Sequence, residues 1–251
     1  MTKEDLYQNL KERFSDVLKE RQIENDHLSV SCRALTPEEA IGKTQRTDYP
    51  ILTGKDVMIQ AEYKGFRGQA FTDAPAAFEG MLEDILEMDI EHNPHDRGIF
   101  IATVNAVMAS LGLCKGTVHC RTDGPEFCAK DMLQFLETNY PDIKKIALIG
   151  FQPSLLEMLA NSKYDVRVMD LNPNNIGQMK FGICVEDGTA MKEEIIHSYA
   201  ELILCTGSTL CNGTIVDYLD LDTEVLFFGT TASGATPLLG LKRICFADKY
   251  M

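Results

Sequence analysis

Two stretches of the chain combine glycine with small hydroxyl and amide side chains, TGSTLCNGT at 206–214 and GTTASGAT at 229–236. Glycine lets a backbone approach a ligand closely. Hydroxyls and amides at a helix start can hold an anion, although the same residue types are ordinary helix caps. The two stretches complete the apolar runs LILCTG (202–207) and VLFFGT (225–230). That places both beyond the carboxyl ends of strands, where an open parallel sheet binds its ligands. Asp170 closes a further run, VRVMD, twenty residues after the Gly150 of IALIG. An acid at that spacing holds ribose hydroxyls in nucleotide-binding folds; the alternative is a cap on the turn DLNPNN. The turn after Gly150, GFQP, lacks the remaining glycines of a dinucleotide fingerprint.

Thiol and imidazole groups are the other source of chemistry. His119 and Cys120 are adjacent, Cys128 follows, His92 and His95 are three apart, and Cys205 and Cys211 flank TGST. Such ligands suit soft or borderline metals. The His119–Cys120 pair lies in a polar, non-helical segment, where an unburied thiol needs a reason. Cys114, Cys184, Cys205 and Cys245 read as small core hydrophobes. None of the eight cysteines forms a CxxC pair, and there is no GxSxG, HExxH or Walker A motif. Asn105 stands in the apolar stretch IFIATVNAVMASLG, with Thr103 nearby. A buried amide needs partners, either a ligand in a cleft or an internal hydrogen bond.

These groups need elements to carry them. Residues 4–21 place Leu6, Leu10, Phe14, Val17 and Leu18 on one helical stripe. HLSVSC (27–32) reads as a strand. LTPEEAIG opens a helix, with Thr36 as cap, Pro37 first and Glu39 completing a capping box. VMIQAEY (57–63) alternates like a half-buried strand, GFRGQAFTDAP (65–75) reads as a turn region, and 76–91 as a second amphipathic helix. This first third is α+β. HNPHDRG (92–98) reads as a linker, so the expected domains are 1–95 and 96–251. Beyond it, four short apolar runs spaced by helices predict a buried parallel sheet, to which RICFA (243–247) is expected to add a last strand.

Composition bounds the function. Hydrophobic residues make up 45% and charged residues 25% of 251, ordinary for a globular protein, and the formal net charge is −14. No basic cluster could face phosphates, so a nucleic-acid partner is excluded. No apolar run approaches a membrane span, and the charged N-terminus lacks the apolar core of a signal peptide, so the expected location is cytoplasmic.

The segments LTPEEAIGKTQRTDYPIL (35–52), TVNAVMASLG (103–112), TVHC (117–120), IALIGFQP (146–153), DLNPNNIG (170–177), TGSTLCNGT and FGTTASGA (228–235) together resemble the bacterial and archaeal family named for heavy-metal chelation. The resemblance runs over essentially the whole chain. It implies an α/β protein, with a small α+β domain similar to the enolase N-terminal domain, then a Rossmann-like parallel-sheet domain, and a site in the cleft between them. Carried over by position, the cleft residues are Arg46, Asp48, Asn105, Thr206, Gly207, Ser208, Thr209, Asn212, Gly229, Thr230 and Thr231, with Asp170 added from the strand-end argument. Enolase catalysis does not come with the resemblance, because its barrel of ~250 residues has no room here. The expected ligand is a metal ion or a small metal-chelating or anionic compound, with Arg46 neutralising an anion and Asp48, His119 and Cys120 available for a heavy or transition metal. Two other readings stay open: an enzyme with a nucleotide-type cofactor near Asp170, and a carrier without catalysis.

Overall fold

The computed structural model describes residues 1–23, 29–53 and 56–251. Helix α1 (Lys3–Glu20) starts on a capping box between Thr2 and Asp5 and buries Leu6, Leu10, Phe14 and Leu18. Four antiparallel strands follow: β1 (Ser29–Ala34), β2 (Val57–Tyr63), β3 (Phe66–Thr72) and β4 (Phe78–Met81), in the order β3-β2-β1-β4. Residues 27 and 28 of the expected first strand lie outside the described residues. Between β1 and β2 come α2 (Pro37–Ile41), with the expected Thr36–Glu39 box, and the short α3 (Pro50–Thr53).

The stretch expected as a turn region is strand β3. The turn is only Lys64–Gly65, and both residues adopt positive φ, 51° and 78°, as a tight two-residue hairpin requires. The helix expected over 76–91 is strand β4 followed by α4 (Leu82–Leu86). Asp84 accepts from the Met81 backbone N–H at 2.7 Å and so sets the helix start after the strand. The expected linker is the beginning of a long helix, α5 (Pro94–Ser110), where Asn93 is the cap and Pro94 opens the first turn. Turn formers and helix-start residues are the same types, which is why composition alone misleads there.

Helix α5 lies directly on β3. A Cβ at Gly68 would stand 2.3 Å from both the Ala102 carbonyl oxygen and the Ala106 nitrogen. Helix α6 (Gly124–Asn139) then leads into six further strands: β5 (Lys145–Ile149), β6 (Asp165–Asp170), β7 (Met179–Lys180), β8 (Ile183–Asp187), β9 (Leu202–Thr206) and β10 (Val225–Phe228). Their order is β10-β9-β5-β6-β8-β7, parallel except for the β7–β8 hairpin. The protein is α/β, with an antiparallel sheet followed by a mostly parallel one. Helix α7 (Pro153–Ala160) connects β5 to β6. RICFA adds no strand: Arg243 makes a single bridge to Phe227, and Ala247–Lys249 turns into a short 3₁₀ helix.

Alternating residues of β5 divide the interior. Ile146 and Leu148 pack with α6 and α7, whereas Ala147 and Ile149 join a cluster continuous with α1, α5 and the first sheet. No described helix is long and apolar enough to cross a membrane.

Candidate functional site

The chain leaves β5 toward β6 and β8 on one side and returns to β9 on the other. That reversal opens a crevice beyond the carboxyl ends of β5 and β9. There Gly150 has φ +88°, and a Cβ on it would stand 2.6 Å from the Thr206 methyl, so only glycine fits. The crevice belongs to a cavity of about 610 Å³, walled by both sheets. A small organic molecule would fill that volume. Tyr49, Ile51, Met58 and Phe71 form its apolar wall on the first-sheet side, and Phe151, Leu155, Tyr218 and Phe228 face them.

Thr206, Ser208, Thr209, Asn212, Gly229, Thr230, Thr231, Asp170, His119 and Cys120 all line this cavity, whereas Arg46, Asp48, Asn105 and Gly207 do not. Gly207 packs behind the lip, where a Cβ would meet the Ala232 nitrogen at 2.8 Å. Asn105, fully buried, has its polar atoms satisfied internally. Its Nδ2 donates to the carbonyls of Gln69, Thr230 and Thr231 at 2.9, 3.2 and 2.9 Å, and its Oδ1 accepts from the Gly234 N–H at 2.6 Å. It staples the 230–234 loop to β3. The Phe71 N–H adds a bond to Thr231 Oγ1 at 3.0 Å. The other loop is held from beneath: Tyr7 donates to the Leu210 carbonyl at 2.8 Å and Arg97 to that of Cys211 at 3.0 Å. Thr103, on α5, has a buried hydroxyl without a hydrogen-bond partner among the described residues.

The charge pattern differs from the expected one. Arg46 makes two bonds to Asp48, at 2.9 and 2.8 Å, contacts Glu157, and lies 3.8 Å from Glu126. Those hydrogen bonds to Asp48 and Glu157 hold its guanidinium firmly charged, and three carboxylates already meet that charge. Asp170 serves as a turn cap: Oδ1 accepts from the Asn172 N–H at 2.7 Å, and Oδ2 from the Phe151 N–H at 2.8 Å and from Asn175 at 3.2 Å. No lysine or arginine occurs among the described lining residues, but Asp56 and Asp73 do, together with Asp170. Burial, and then the charges of Asp73 and Asp170, push the Asp56 carboxyl above its ordinary value. Sequence reasoning missed both acids. The signal was the Lys64–Gly65 hairpin, because Val57 pairs with Thr72 and the residues just outside that pair are 56 and 73.

His119 is half-buried, and desolvation lowers its pKa from 6.5. Its Nδ1 lies 2.6 Å from the Cys120 carbonyl. A carbonyl only accepts, so Nδ1 carries the proton and Nε2 is the basic nitrogen. Cys120, Cys128 and Cys245 line the same side. A hydrogen bond with Cys120, and then burial, push Cys128 up to about 12; a hydrogen bond with Cys128, and then burial, raise Cys245 well above the ordinary thiol value. Cys245 is therefore not simply core, and Cys184 is exposed. Among the described residues, no three His, Cys, Asp or Glu side chains form a group that could hold a metal ion. His92 and His95 are outside the cavity and exposed, beside Asp89 and the Pro75 carbonyl respectively.

Residues 133–241 match the model of the DUF364 family, described as "Putative heavy-metal chelation". That match supports the resemblance read from the sequence over residues 133–241. A crystal structure of a protein of unknown function from the DUF364 family of Pyrococcus horikoshii is similar over 89% of this chain and 80% of that chain, at 18% identity and a TM-score of 0.52. That likeness shows a shared fold. A DUF364 structure from Desulfitobacterium hafniense has 13% identity and a TM-score of 0.48, covering 73% of this chain and 72% of that one. No curated protein matches the chain.

Proposed function

We propose that the protein binds a small metal-chelating compound in the cleft between its two sheets, the metal arriving with the compound. In this reading residues 1–95 are the enolase N-terminal-like part and residues 96–251 the Rossmann-like part. The observation that carries it is the cavity of about 610 Å³ at the strand reversal, with apolar walls from both sheets and hydroxyl-bearing loops at its lip. A bare ion would leave most of that volume unfilled. No preformed group of three protein ligands is present among the described residues, so the protein's own chemistry here is to enclose and orient the compound. Apolar walls bury its carbon skeleton, and Ser208, Thr230 and Asn212 bond its polar atoms. Heavy-metal chelation, the role in the family's description, fits a cleft of this kind.

A nucleotide-type cofactor is the second reading, favoured by the strand order around β5 and β9. Against it, both oxygens of Asp170 are already engaged by turn donors. Native mass spectrometry of the purified protein tests the choice. We expect a metal-bearing small compound on the wild type and its loss in Ser208→Phe, which fills the lip. A retained nucleotide, or equal retention by Ser208→Phe, would refute the reading.

A further inference from the structure

We propose that the compound taken by this cleft is a flat aromatic chelator without negative charge, whose rings lie between the two apolar walls and whose edge N–H meets Nε2 of His119. This rests on the cleft reading and adds the ligand's chemical class to it. The walls themselves are ringed. Tyr49 and Phe71 stand on the first-sheet side, and Phe151, Tyr218 and Phe228 face them. Aromatic pairs stacked with an offset, or meeting edge to face, gain stabilisation beyond the area they bury. Met58, Met132 and Met169 line the same cavity, and a thioether sulfur makes further favourable contacts with a ring. An aliphatic compound would collect neither gain.

The polar end of the compound follows from His119, which also lines the cavity. Its backbone N–H donates to Gln69 Oε1 at 2.8 Å, and Nε2 of the buried Gln69 donates in turn to Gln60 Oε1 at 3.0 Å. Strand β3 thus holds the residue in place. The ring is neutral at pH 7, because desolvation lowers its pKa from 6.5, and Nδ1 spends its proton on the Cys120 carbonyl at 2.6 Å. His119 therefore offers the cavity an acceptor and no donor. A ligand group that meets it must bring its own proton. A hydroxyl that binds a metal gives that proton up, whereas a ring N–H next to the metal-binding nitrogens keeps it, so the donor is an N–H. Charge removes the remaining chelators. No lysine or arginine lines the cavity among the described residues, but Asp56, Asp73 and Asp170 do. A carboxylate or phosphate chelator would meet like charge there and find no cation to neutralise it.

The probe is pyridyl-benzimidazole, joined so that a pyridine and an imidazole nitrogen chelate together while the ring N–H stays free. The chain has no tryptophan, so the probe's own emission reports binding at neutral pH. Wild type should bind it saturably, citrate and adenosine monophosphate should not displace it, and Ser208→Phe should abolish the binding. The N-methyl form of the probe, which has no N–H, should bind wild type about three- to tenfold more weakly. In His119→Phe, where the acceptor is gone, the two forms should bind alike. Phe151→Leu keeps the wall apolar without its ring and should weaken the probe by about three- to tenfold. The wild-type comparisons need no variant, so a variant that fails to fold does not shelter the idea. No binding of the probe, displacement by either anion, equal binding of both forms by wild type, or a methylation penalty that survives in His119→Phe overturns the proposal. An aliphatic or anionic metal chelator retained by the purified wild type sinks this inference alone. The expected probe pattern in a protein that retains no metal-bearing compound sinks the chelate reading alone.

Discussion

Replacing Asn105 with leucine should unfasten the 230–234 loop. Leucine keeps asparagine's branching and its number of side-chain heavy atoms, so no cavity opens, and the extra bulk of its methyls adds overpacking to the loss. Four polar contacts disappear: three from Nδ2, to Gln69, Thr230 and Thr231, and one from the Gly234 N–H to Oδ1. At a net ~1 kcal/mol each, the loss is about 4 kcal/mol. The Thr230 carbonyl keeps the Ser233 N–H and hydroxyl, which trims the figure, while the Gly234 N–H is left buried, which restores it. For a chain of this size the midpoint should fall by roughly 8–16 °C in a thermal melt. Thr103→Val is the internal control: it lies on the same helix, is also fully buried, and its hydroxyl has no partner among the described residues, so removing that hydroxyl should be neutral or stabilising. A drop below about 1 kcal/mol for Asn105→Leu, or a larger drop for Thr103→Val, would refute the staple.

Gly68→Ala should be among the most damaging small substitutions in the chain, lowering the melting midpoint by several degrees or abolishing soluble expression, because its Cβ would meet backbone atoms of α5 at 2.3 Å. Arg46→Met leaves Asp48, Glu126 and Glu157 facing one another. It should cost ~1–3 kcal/mol in urea melts, and added salt should recover part of that by screening the repulsion. Because desolvation holds the folded-state pKa of His119 below 6.5, the unfolded chain binds more protons beneath that pH. The His119 contribution is thus complete above about pH 6.5 and lost as pH falls, so His119→Gln should show a shallower acid-side decline in stability than wild type.

Much of this was legible before any coordinates. The stripe of α1 and the Thr36 box follow local rules strong enough to survive packing. The four apolar runs are strands buried along most of their length, and such runs announce themselves. Strand β3 was hidden because FRGQAFT holds a glycine where a helix lies flat on it, so the residue that signals a turn is there for close approach. Strand β8, ICVED, is short and half polar near the sheet edge, with too little apolar content to stand out. The loops of the cleft were readable because their residue types repeat at two strand ends. Asp56, Asp73 and Cys245 were not, since each looks ordinary in its own segment. They meet only through a hairpin register and the return of the C-terminal segment past α6.

Helix α5 fills the face of the first sheet with the very residues that begin the second half of the chain, and its cluster runs on into Ala147 and Ile149 of β5. Cutting the polypeptide at 95 would therefore strip Ile59, Ala61 and Ala70 of their cover and leave a sticky fragment in place of a stable half. The two sheets share one interior and melt together, so a calorimeter should record a single endotherm. Compounds should then exchange through movement of the rim, since α5 ties the first sheet to the start of the second half of the chain.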